Sequence, residues 1–141
     1  MLIAAVMSLM AAGCGDSEGE TTAALTKSQF VKKAEAICES GKREREKTLG
    51  ALSAKYPPDA SEAEKEEAIR LLIQPYEKMA NRLGELGAPA GEEEDVQTMV
   101  AEMKSAVAQV NANPQTALVS DVPFREANRS AEEFGLENCT V

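Results

Sequence analysis

Three cysteines, Cys14, Cys38 and Cys139, are the side chains of this 141-residue sequence best suited to chemistry. A thiol can pack as a small apolar group, pair with a second thiol, ligate a metal or act as a nucleophile once ionised. The sequence contains no histidine, so neither a Ser–His–Asp triad nor a Cys–His pair can be assembled, and the usual zinc ligand sets are out of reach. No serine stands in a Gly-x-Ser-x-Gly elbow, and no glycine-rich phosphate loop occurs. The run Glu92-Glu93-Glu94-Asp95 gathers four carboxylates. It lacks the spaced oxygens and turn glycine of a calcium loop, so it reads as a helix start whose acids complement the dipole. Met79, Met99 and Met103 recur at helical spacing and read as core, with an adaptable pocket lining as the other reading. These absences point to a chain that is not an enzyme and uses no cofactor. The function then turns on what the three thiols are for.

Cys14 follows an apolar stretch, LIAAVMSLMAA, and the small residues Ala11-Ala12-Gly13. Eleven apolar residues are too few to cross a bilayer, which needs about 20. They suit the central region of a secretory signal, which ends in small residues at its cleavage site. The segment resembles a bacterial lipoprotein signal, in which a short Leu/Ala/Gly-type run precedes an obligatory cysteine. That resemblance implies a diacylglyceryl group on the Cys14 sulfur and cleavage before it. Ala11 stands where leucine is commonest, and no Lys or Arg precedes the apolar run, so the expectation is that the true start lies upstream of Met1. Residues 1–13 are then the signal, and 14–26, polar and rich in Gly, Thr and acid, a flexible tether reaching at most about 40 Å. Residues 27–141 form the folded domain.

That domain is read as all-α. Thr26 and Gln29 have the spacing of a capping box, and apolar or small residues recur at Phe30, Ala34, Ile37, Cys38, Gly41, Leu49 and Leu52 up to the stop at Tyr56-Pro57-Pro58. Asp59 and Ser61 compete to cap a second helix, whose stripe runs Ile69, Leu72, Ile73, Tyr76, Met79, Ala80, Leu83 and Leu86. Pro75 interrupts that stripe, so a kink or short break is expected near Ile73–Gln74, and Pro75, Tyr76 and Met79 become candidates for a groove. A third helix starts near Glu92 and ends at Asn113-Pro114. A fourth starts at Asp121 and ends at Gly135. The expected fold is a four-helix up-down bundle.

Net charge is −9, with a local +4 between Lys27 and Lys55 and the remaining −13 elsewhere. Such an acidic surface argues against nucleic-acid partners. The basic residues of the first helix interleave with Glu35, Glu39, Glu44 and Glu46, which suits a solvated face.

With Cys14 taken for lipid, Cys38 and Cys139 remain, and outside the cytoplasm two such cysteines form a structural disulfide. A closely spaced redox pair, the other reading, is absent from the spacing. LTKSQFVKKAEAIC (Leu25–Cys38), the LGAPAG turn and FGLENC (Phe134–Cys139) together resemble a family of small actinobacterial lipoproteins of uncharacterised function. The resemblance covers nearly the whole folded part. It implies the helical fold, the Cys38–Cys139 bridge and a surface location, and supplies no catalytic residues. The expected function is that of a non-enzymatic interaction module on the extracytoplasmic face of a bacterial membrane, anchored through Cys14 and meeting an envelope protein or ligand. A small-ligand carrier with an interhelical pocket is the alternative.

Overall fold

The structure, a computed structural model, describes residues 24–141. Cys14, the apolar run and the tether up to residue 23 lie outside the described residues. The described chain is all-α: α1 (Lys27–Lys55), α2 (Glu62–Glu85), α3 (Glu93–Ala112), the single turn α4 (Thr116–Val119) and α5 (Arg125–Phe134). Tight 3-10 turns at Val122–Phe124 and Glu137–Cys139 flank α5.

Local chemistry sets where the helices begin. The Thr26 hydroxyl accepts from the Gln29 backbone N–H at 3.3 Å, and the Gln29 side chain accepts from the Thr26 N–H at 3.0 Å. At α2 the competition between two caps goes to Ser61, whose Oγ accepts from the Glu64 N–H at 3.4 Å while the Glu64 carboxylate accepts from the Ser61 N–H at 2.8 Å. Asp59 instead sits in the turn closed by the Ala60 N–H on the Pro57 carbonyl, 3.0 Å. The first turn of α3 carries Glu93, Glu94 and Asp95, placing negative charge at the positive end of its dipole.

Consecutive helices pack together: α1 on α2, α2 on α3, α3 on α5, and the Glu137–Cys139 turn back on α1. This is the up-down order that short connections impose. The core is mainly aliphatic, with Phe30, Tyr76 and Phe134 set into it. Phe30, Ala34 and Ile37 from α1 meet Ile73, Met79 and Leu83 from α2, Met99, Met103 and Val107 from α3, and Ala127, Ala131 and Phe134 from α5. Met79, Met99 and Met103 are thus core residues. Gly41 lets α1 and α2 approach closely: a Cβ there would lie 3.1 Å from the Met79 sulfur.

The chain does not break at Pro75. α2 is continuous from Glu62 to Glu85, with Pro75 buried inside it. Proline lacks the N–H that would reach the Leu71 carbonyl. The buried neighbours Ile73, Tyr76 and Met79 outweigh that loss, since most helix stability in proteins comes from packing the apolar face.

Helix lengths differ, and this shapes the domain. α1 has 29 residues and α5 only 10, about 44 Å against about 15 Å at 1.5 Å per residue. The long α1–α2 hairpin therefore outruns the helix that returns to it. At its end α5 stops on Gly135, φ 88°, a left-handed conformation that glycine adopts without steric cost. The turn directs Leu136 and Cys139 inward, both fully buried.

Candidate functional site

Cys38 lies mid-way along the buried stripe of α1. It sits at disulfide distance from Cys139, with Cα atoms 4.8 Å apart. Polar contacts hold the same tail. The Asn138 backbone N–H donates to the Glu35 carboxylate at 3.2 Å, the Asn138 side-chain amide donates to that carboxylate too, and Asn128 exchanges two hydrogen bonds with the Val141 backbone at 3.0 and 3.1 Å. Phe134 meets Phe30 edge-on, centroids 5.3 Å apart, with the Lys27 ammonium 4.7 Å above its ring. Lys27 also pairs with Glu92 at 3.0 Å. The end of α5, the start of α1 and the start of α3 thus meet around one cation.

The acidic run at the start of α3 borders a shallow polar depression of about 260 Å³ shared with Lys27, Thr98 and Ser130. No group of three or more Cys, Asp or Glu among the described residues is arranged to hold a metal ion. No described helix is long and apolar enough to cross a membrane.

A more suggestive feature lies where the α1–α2 hairpin outruns α5. An open groove of about 400 Å³ is walled by Ile69, Leu72, Ile73 and Tyr76 of α2, with Phe124 and Arg45 at its borders. The groove forms because α4 and the Val122–Phe124 turn only partly cover α2: Ile69, Ala117 and Phe124 are half-buried at the edge of the core. Tyr76 is 3 % exposed and packs edge-on against Phe124, centroids 5.4 Å apart. Its hydroxyl is buried and has no hydrogen-bond partner among the described residues. Burial pushes the Tyr76 phenol well above the usual tyrosine range, and nearby Arg45 pulls the other way more weakly. The ring also borders a crevice of about 10 Å³, beside Gly41, Lys42, Arg45, Met79 and Val141.

Of the three residues proposed from sequence to form a groove, Tyr76 lines it and Met79 borders only the small crevice. Pro75 lines neither. Sequence reasoning missed Arg45, Ile69, Leu72 and Phe124 as a set. One signal was present: Arg45 falls on the α1 stripe, seven residues after Cys38 and seven before Leu52, where an apolar residue is expected. Cys14 lies outside the described residues.

Compared with known proteins, the chain matches no family model, no curated protein and no solved structure.

Proposed function

We propose that this chain is a membrane-tethered, extracytoplasmic binding module, non-enzymatic, anchored through a lipid on Cys14. The observation that carries this reading is the meeting of Cys38 and Cys139. Once these two serve each other, Cys14 is the odd thiol, and it stands behind Ala11-Ala12-Gly13 and ahead of a polar linker. A buried pair closing a long loop suits an oxidising compartment, and two or more acyl chains on the remaining cysteine would anchor the domain stably, each buried CH₂ contributing about 0.8 kcal/mol. The 14–26 segment then lets the helical domain sample its surroundings within about 40 Å of the membrane.

The test is metabolic labelling with an alkyne fatty acid in a bacterial host, followed by membrane fractionation of the wild type and Cys14→Ser. Label and membrane recovery in the wild type, both lost in the variant, are expected. A wild-type chain that is unlabelled and recovered in the soluble fraction overturns the reading.

A further inference from the structure

We propose that the groove beside Tyr76 binds a small amphiphile carrying a carboxylate, its apolar body against α2 and Phe124 and its carboxylate on Arg45. The proposal names the ligand class of the binding module and stands whether or not Cys14 carries lipid.

Three observations support it. The groove, about 400 Å³, falls within the range of small-molecule sites, roughly 300–1,000 Å³. Its apolar lining includes Ile69, Leu72, Ile73, Val110, Ala117 and Phe124, which offer an apolar body contact on several sides. At the Tyr76 end the chemistry changes. Arg45 borders both the groove and the small crevice, and among the described residues it enters no salt bridge.

An anion in the groove supplies the partner that Arg45 lacks: the planar guanidinium suits the two oxygens of a carboxylate. Lys42, at the crevice, adds a second positive charge. The acids at the groove's border are Asp121, engaged by Arg125 at 3.6 Å, and the Val141 carboxylate, which accepts from the Asn128 side-chain amide at 3.0 Å; these contacts offset their repulsion of an anion. A cationic or neutral amphiphile would leave Arg45 without an anion and is disfavoured.

The experiment uses the full chain carrying Cys14→Ser, so that anchoring cannot contribute. Laurate, 1-dodecanol and dodecyltrimethylammonium are titrated by calorimetry below their aggregation concentrations, and laurate is titrated again into Arg45→Gln and Tyr76→Phe. Saturable one-to-one laurate binding is expected, weakened about tenfold by Arg45→Gln, as for loss of a charge-assisted hydrogen bond, and little changed by Tyr76→Phe, whose hydroxyl is sealed from the groove. 1-Dodecanol and dodecyltrimethylammonium should bind more weakly than laurate. Absence of saturable laurate binding overturns the proposal, as does laurate binding unchanged in Arg45→Gln. Concentration-dependent dimerisation that closes the groove to laurate overturns it too and assigns the face to a second copy. Failure here leaves the labelling result at Cys14 untouched, and failure there leaves this one.

Discussion

Cys38, in the middle of α1, and Cys139, in the last turn of the chain, have Cα atoms 4.8 Å apart although 101 residues separate them. Closing so long a loop removes much of the freedom of the unfolded chain. The chain-entropy account assigns such a bridge about 4–5 kcal/mol. Denaturant unfolding of the oxidised protein and of Cys38→Ser/Cys139→Ser should differ by that amount. The native protein should have a mass two hydrogens below its reduced form. Leu136, with the Asn138–Glu35 and Asn128–Val141 contacts, keeps the tail docked once the sulfurs are removed, so the double variant is expected to fold. Free Cys38 and Cys139 thiols in the native protein would contradict the pairing.

The Ser61–Glu64 pair is the next clear case. Because Ser61 caps α2 and Asp59 does not, Ser61→Ala should cost about 1 kcal/mol, while Asp59→Ala should be near neutral. Urea midpoints of the two variants, measured side by side, check the assignment. Equal losses at both positions would show that the two residues share the cap.

What the sequence discloses follows the range of each interaction. The capping box of Thr26 and Gln29 is legible because both partners lie within one helical turn, and the four-helix order follows from stripes of period 3.6. The groove is legible only in fragments, because it depends on how far α5 falls short of the α1–α2 hairpin and on Phe124 reaching Tyr76 across 48 positions of sequence. Pro75 is an instance of packing overriding local preference. Its effect on its own turn is foreseeable, but whether the buried neighbours hold the helix together is a tertiary matter.

Alkaline pH gives a separate handle on Tyr76. Its phenol is held above the ordinary value of 10.0 by burial, with Arg45 opposing. Below that ordinary value both folded and unfolded chains keep the proton, and pH does not act on stability through this group. Above it the unfolded chain ionises first, so stability falls with rising pH until the folded phenol ionises too. Urea unfolding at a series of alkaline pH values should show this extra decline in the wild type and not in Tyr76→Phe. Parallel curves for the two proteins would mean that the hydroxyl is solvated in solution.

Replacing Pro75 separates the kinked-helix explanation of the groove from the helix-length explanation. An interior proline costs a helix about 3 kcal/mol relative to alanine. Proline-to-alanine here also removes buried ring carbons, at about 0.8 kcal/mol for each CH₂. Two such carbons recover roughly half of the gain, so Pro75→Ala should stabilise the domain by about 1–2 kcal/mol, read as a rise in the urea midpoint. Because Pro75 lines neither the groove nor the crevice, laurate affinity should be unchanged in the same variant. The groove lies where α5, with 10 residues, falls short of α1, with 29, and Pro75→Ala does nothing to cover it. A loss of binding in Pro75→Ala would mean instead that the local geometry at the proline shapes the wall formed by Ile73 and Tyr76.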